Sequence, residues 1–371
     1  MTSISRPSRV DIDLGSLRHN LRKIRSWVGN KARLMAVVKA DAYGHGAVKI
    51  AETAAAENVD FLGVALLEEA NEITAAGIGK PIVILYPESP ERSAEAVRRG
   101  YCITLSDADG LRQIRETLGP NSSSIKYFLN ANTGMNRYGG KIDQTTLSNA
   151  LGAKDNGSVV MGITTNLADS GKNRPDLAER QISDFMRIVQ TAGRFSDNGL
   201  LYSYESSGSV WRQKCVAGTM VRIGLLMYGV APSKEIQGEL KPVMSVRSRV
   251  AEIHEVRKGE GVGYDFSFVA DRDSKVAVVP MGYADGLPWS LSNRGSVIIR
   301  ESEAPIAGRV CMDAFMVDVT HIADCKSGDD VIIMGSAGKA VIGAHRLGEW
   351  AGSFAYEILS GWSKRLPRYY K

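Results

Sequence analysis

The chain is poor in the residues that build metal centres and cross-links. Among 371 residues there are five histidines and four cysteines. Cys102, Cys215, Cys311 and Cys325 are far apart and form no CxxC pair. That argues against a disulfide framework and against a His/Cys metal centre, and for reduced thiols. Long hydrophobic runs are also missing. No apolar stretch approaches a membrane span, and Met1-Thr-Ser-Ile-Ser-Arg-Pro7 lacks the apolar core of a secretion signal. A soluble cytoplasmic protein with no membrane partner is expected. Charge of one sign is not in large excess: 46 Lys and Arg face 41 Asp and Glu, a net of +5, with no basic tract. Nucleic acid is therefore not an expected partner, and the surplus weakly favours small anionic ligands.

What is present is ordinary globular material, 44% hydrophobic and 23% charged, long enough for one large and one smaller domain. After a helical pattern that opens on a capping candidate near Asp11, short apolar segments alternate with helical ones. Strands are expected up to Lys39 and over 61–66, 81–86, 101–105, 126–130, 159–165, 199–204 and 220–223. A short helix is expected near Ser209. Eight βα units in succession predict an α/β fold, a closed (β/α)8 TIM-like barrel over residues 1–240. Around Ala231–Pro242 the texture changes. Residues 241–371 read as a mainly β domain, with strands over 245–256, 276–280, 296–300, 305–310, 316–320 and 330–334, separated by Gly/Asp/Pro turns.

One position is poorly explained by folding. In Met35-Ala-Val-Val-Lys39-Ala-Asp-Ala-Tyr-Gly-His-Gly46 a buried strand ends on a lysine. Most strand-end lysines snorkel to solvent. In a barrel, however, chemistry sits at the C-terminal strand ends. Lys39 lies there, as do residues 130–137, Asn166, 206–207 and 222–225. A lysine in such a pocket suits nucleophilic Schiff-base chemistry.

The Lys39 segment resembles the cofactor-lysine motif of bacterial alanine racemases, which use pyridoxal 5′-phosphate (PLP). Further matches are Thr133-Gly-Met-Asn-Arg137, Arg222-Ile-Gly-Leu-Leu-Met-Tyr-Gly229, Gly259-Glu-Gly-Val-Gly-Tyr264, Gly282-Tyr-Ala-Asp-Gly286, Gly308-Arg-Val-Cys-Met-Asp313 and Tyr356-Glu-Ile-Leu359. They span both domains in the family's order. The resemblance implies an isomerase that interconverts L- and D-alanine by a two-base mechanism, supplying D-alanine to the cell wall. Lys39 resembles the PLP-anchoring lysine and first base, and Tyr264 the opposing base. Tyr43, Ser207, Gly224, Leu225 and Tyr356 resemble the phosphate ligands. Arg222 resembles the arginine at the pyridine nitrogen, where a guanidinium gives up no proton, and Asn166 stands beside it in the cofactor set. Arg137, Tyr283 and Met312 resemble the contacts to the substrate carboxylate. The family's active sites are shared in a head-to-tail homodimer, so Tyr264, Tyr283 and Met312 are expected to come from a second copy.

The chain also departs from the family pattern. Asn130 stands where many members carry a carbamylated lysine that positions the residue equivalent to Arg137. A chloride ion between Asn130 and Arg137 is the expected substitute. Asn166 replaces a usual histidine, and Trp289 replaces an arginine on the path to the site. These changes bear on whether alanine, serine or a broader set is admitted. A non-catalytic PLP-binding protein would normally lack a second domain carrying Tyr264. A barrel-type PLP decarboxylase should show a glycine-triplet phosphate loop and a cysteine motif, and neither is seen.

Overall fold

The computed structural model describes residues 6–119, 124–152, 157–169, 173–195, 199–204, 219–231, 236 and 238–371. The first strand, β1 (Arg9–Ile12), stands apart from the eight that follow. These are β2 (Arg33–Val37), β3 (Phe61–Val64), β4 (Ile82–Ile84), β5 (Ile103–Leu105), β6 (Lys126–Asn130), β7 (Val159–Thr164), β8 (Leu201–Ser203) and β9 (Met220–Ile223). They pair in parallel in two arcs, β4-β3-β2-β9 and β5-β6-β7-β8. Single bridges, Val83 with Cys102 and Tyr202 with Thr219, join the arcs into a ring. The expected (β/α)8 barrel is present.

Strand alternation builds its two cores. Met35, Phe61, Val83, Cys102, Phe128 and Met220 fill the barrel axis. Their chain neighbours Leu34, Ala36 and Leu62 join the larger core. Because both faces of each strand are covered, the strands read as continuous apolar runs rather than as alternating ones. The first helix, Leu14–Val28, buries Leu17, Leu21, Ile24 and Val28 at helical spacing. Its cap is Asp13, whose carboxylate accepts from the Ser16 N–H at 2.9 Å. The expected cap, Asp11, lies instead in β1.

β1 runs antiparallel to β10 (Met244–Arg249), in register Val10 with Val246. The expected single strand over 245–256 breaks near Val250, and β11 (Glu252–Val256) enters a different sheet. A small ribbon follows, β12 (Gly261–Val262) with β13 (Phe268–Val269), then β14 (Ser274–Val279), β15 (Ser296–Ile299), β16 (Ser302–Pro305), β17 (Phe315–Asp318), β18 (Asp330–Ala337), β19 (Ala340–Ile342) and β20 (Arg368–Tyr370). The main sheet runs β16-β15-β18-β10-β1-β20, and β11-β14-β17 form a second. β16 ends at Pro305, so no strand covers 305–310. Two short helices, Ala344–Ala351 and Ala355–Ser360, were not expected. The Ser209 helix lies outside the described residues.

Candidate active site

At the C-terminal mouth of the barrel lies a cavity of about 430 Å³, with Met35, Val83, Phe128 and Met220 of the axial core among its lining. Lys39, half-buried, reaches into it from just beyond β2. Its Nζ donates a hydrogen bond to the Tyr86 hydroxyl at 2.7 Å and sits 4.9 Å from the centre of that ring.

The backbone after Lys39 is unusual. Ala40, Asp41, Ala42 and Tyr43 all have φ between 52° and 55°, a left-handed turn without a glycine. Each such residue costs roughly 1–2 kcal/mol relative to the right-handed form, so the surroundings must impose it. Glu69 accepts from the Ala40 N–H and Asp41 from the Ala47 N–H, both at 2.7 Å. His45 Nδ1 lies 2.9 Å from the Ala42 carbonyl and 3.0 Å from that of Tyr43. Carbonyls only accept, so the ring proton is on Nδ1. His45 is fully buried and stacks on Tyr228 at 4.3 Å. Burial pushes its pKa down to about 4; the two carbonyls oppose this, and the charge of Arg368 adds to it. It is a neutral clamp at pH 7.

The turn delivers Tyr43 to the far wall of the cavity. Its ring centre is 5.9 Å from that of Tyr356 and 5.1 Å from that of Tyr228. Burial, reinforced by Tyr356 and Tyr86, pushes the Tyr43 phenol well above its ordinary range, and burial also raises that of Tyr356. Both remain protonated donors. Gly224 and Leu225, just past β9, complete this wall. A Cβ on Gly224 would sit 2.8 Å from the Tyr43 oxygen, so a side chain there would push the phenol away from the strand end.

Arg222 is buried across the cavity mouth and held by oxygens. One guanidinium nitrogen donates to the Ser203 carbonyl at 2.9 Å and to its hydroxyl at 2.5 Å. The other donates to the Thr165 carbonyl at 2.7 Å and to Asn166 Oδ1 at 2.9 Å. Asn166 therefore fixes Arg222 with a neutral acceptor. On the open side, Arg137 lies 5.5 Å over the Tyr86 ring, which in turn packs on Tyr138 at 4.9 Å. Asn130, the last residue of β6, lines the same cavity, and its Oδ1 accepts from Thr164 at 3.3 Å.

One chain thus brings together Lys39, Tyr43, Arg137, Asn166, Arg222, Gly224, Leu225 and Tyr356 of the expected set. Ser207 lies outside the described residues. Tyr264, Tyr283 and Met312 do not line the cavity; they stand 69%, 45% and 53% exposed on the β domain. Tyr283 and Met312 are nevertheless neighbours: the Tyr283 N–H donates to the Cys311 carbonyl at 3.0 Å, and the Ala284 N–H to that of Met312 at 3.1 Å. The buried Asp285 carboxylate anchors their turn, accepting from the Gly282 N–H at 3.0 Å and twice from Arg6 at 2.7 Å. Around Tyr264, Gly263, Asp265 and Phe266 all have positive φ. Arg309 pairs with Asp265 and lies 5.8 Å over the ring of Trp289.

Tyr86, Tyr138, His45, Glu69 and Phe354 were not anticipated. Tyr86 had a usable signal, because it lies two residues past β4, as Lys39 does past β2 and Asn166 past β7.

The chain matches two family models, the alanine racemase N-terminal domain over residues 12–232 and the C-terminal domain over 243–370. An alanine racemase of Sorangium cellulosum is 34% identical over 376 residues, covering 99% of each chain. Alanine racemase 2 of Caldanaerobacter subterraneus is 33% identical, covering 98% of this chain and 95% of its own. Among solved structures, the alanine racemase of D-cycloserine-producing Streptomyces lavendulae superposes with a TM-score of 0.91 at 30% identity, covering 100% and 98%. That of Bacillus anthracis with bound L-Ala-P gives 0.90 at 29%, covering 100% and 96%. With both halves matched and the relatives covered almost end to end, the chain belongs to the alanine racemase family, whose members depend on PLP.

Proposed function

We propose that this chain racemises alanine between its L and D forms with PLP held by Lys39, making D-alanine for the cell wall in the cytoplasm. The observation that carries the reading is the meeting, in one cavity, of the Lys39 amine, the oxygen-clamped Arg222 and the protonated phenols of Tyr43 and Tyr356. The cavity suits the cofactor. Among the described residues, its phosphate would meet the two phenols and the strand end at Gly224 and Leu225, where a Cβ at 224 would meet the Tyr43 hydroxyl; Ser207, the remaining proposed ligand, lies outside the described residues. Bound PLP supplies a ring that draws electron density from the substrate α-carbon and so eases removal of its proton.

The protein's residues do the rest. Lys39 anchors the cofactor and, when freed, takes or returns the α-proton on one face. Tyr264 of a second copy serves the opposite face. Arg222 would face the pyridine nitrogen of bound PLP and, as a guanidinium that gives up no proton, would leave it unprotonated, while Asn166, Thr165 and Ser203 hold the guanidinium still. Arg137 holds the substrate carboxylate, with Tyr283 and the Met312 N–H. Asn130 presents its NH₂ end, because Thr164 occupies its oxygen. A chloride ion between that group and Arg137 balances the arginine where other members use a carbamylated lysine.

The functional unit is a head-to-tail homodimer. The exposure of Tyr264, Tyr283 and Met312, the last two on turns tied to each other within their own chain, supports this. Residues 1–240 carry the PLP-binding barrel, except that β1 joins the sheet of the second domain, and 241–371 deliver the second base. No helix among the described residues is long and apolar enough to cross a membrane. The direct test is incubation of the PLP-loaded protein with L-alanine, L-serine and other L-amino acids in deuterated buffer, followed by chiral analysis. D-alanine carrying α-deuterium is expected; no deuterium and no D-isomer from any substrate defeats the reading.

A further inference from the structure

We infer that Tyr86 is the docking partner of Lys39 whenever an amino acid has displaced that lysine from the cofactor. This inference rests on the racemase reading. The Lys39 nitrogen donates to the Tyr86 hydroxyl at 2.7 Å, inside the cavity that also holds Arg222 and Tyr43. The acceptor is positioned by its neighbours. Tyr86 precedes Pro87, which confines its backbone to extended conformations. Its ring packs at 4.9 Å and 32° against Tyr138. Arg137 lies 5.5 Å over the same ring. One side chain thus meets both the reacting amine and the guanidinium assigned to the substrate carboxylate.

The exchange that frees Lys39 is balanced without an oxidant or reductant. A carbon–nitrogen bond forms to the incoming amino group, the bond to Nζ breaks, and protons lost by the incoming ammonium end on Nζ. A freed amine half-buried in a cavity needs a hydrogen-bond partner, and Tyr86 supplies it at a fixed place. The hydroxyl therefore stabilises the lysine-released state over the lysine-bound one. Because Tyr86 touches the reacting nitrogen, it is a catalytic residue in the strict sense.

The test separates its hydroxyl from its ring. α-Aminoisobutyrate has an amine that displaces Lys39 but no α-proton, so it stops after exchange. Propionate has the carboxylate but no amine, and it binds without displacing Lys39. In PLP-loaded Tyr86→Phe, the α-aminoisobutyrate dissociation constant, read from the visible absorbance, is expected to weaken about tenfold. Propionate affinity, read by competition, stays within about twofold because Arg137 keeps its ring support. In Tyr86→Leu, which loses the ring, both ligands weaken. Unchanged α-aminoisobutyrate binding in Tyr86→Phe overturns the inference, and so does equal weakening of both ligands there. If L-alanine gives neither α-deuterium nor the D-isomer, the racemase reading fails, and this inference fails with it.

Discussion

The barrel mouth and the outer face of the β domain carry chemically similar groups in opposite states. At the mouth, Lys39, Arg222 and Tyr43 are wholly or partly buried, and Lys39 and Arg222 hold hydrogen bonds of 2.5–2.9 Å. On the β domain, Tyr264, Tyr283 and Met312 project into solvent, although the turns that bear Tyr283 and Met312 are tied down through Asp285. A side chain held by a fixed backbone yet facing outward is prepared for something that is not part of its own fold. Among the described residues, the mouth gathers the proposed cofactor groups around Lys39, and the proposed second base, Tyr264, stands on the β face away from them. Each looks like half of a site.

Removing the barrel half gives the largest expected effect. Lys39→Ala should lose activity by on the order of 10⁴-fold and lose the visible absorbance of lysine-held PLP. A borohydride-reducible chromophore that survives the change would mean another lysine is the anchor. Tyr264→Phe removes only the second base and should slow racemisation by about 10²–10³-fold. Its sign is distinctive: Lys39 can still exchange the α-hydrogen of one enantiomer with deuterium, without inversion. Equal exchange from both enantiomers would place the second base elsewhere.

Mixing the two dead variants then asks whether the halves belong to different copies. After subunit exchange, half the dimers pair one intact Lys39 with one intact Tyr264, so about a quarter of wild-type activity should return. A mixture that stays silent under conditions where subunits demonstrably exchange would put both halves of each site in a single chain. The smallest effect concerns the clamp on the barrel side alone. His45 has an unfolded pKa of 6.5, lowered to about 4 by burial. The unfolded chain therefore binds the extra proton first, and stability is lost as pH falls from about 6.5 towards 4. The melting temperature should drop over that window in the wild type. It should drop less in His45→Asn, which keeps a donor near the same carbonyls but does not titrate.

The legibility of these two halves differed for physical reasons. Eight strands alternating with helices announce a barrel because each unit is local in sequence. Lys39 announced itself as a charge at the end of an apolar run. β1 did not, because its four residues are paired by β10, more than 230 positions away, and by β20. Tyr86 was silent because a tyrosine beyond a strand is usually a packing residue. Its partner lies 47 residues earlier, and only the closed ring brings the two together. The helices over residues 344–360 are too short, with too few buried positions, to leave a periodic signature. The turn after Lys39 was the most deceptive. Alanine is the best former of right-handed helix, yet Ala40 and Ala42 sit in the opposite hand.

That turn has a stereochemical consequence. For a D-residue the left-handed conformation is the favoured one, by mirror symmetry of the clash that penalises L-residues. Ala40 is exposed, so inverting its α-carbon by semisynthesis disturbs little packing and should raise stability by about 1 kcal/mol. An enzyme proposed to make D-alanine has, one residue from the lysine proposed as its base, a position where its own product is the better-fitting building block.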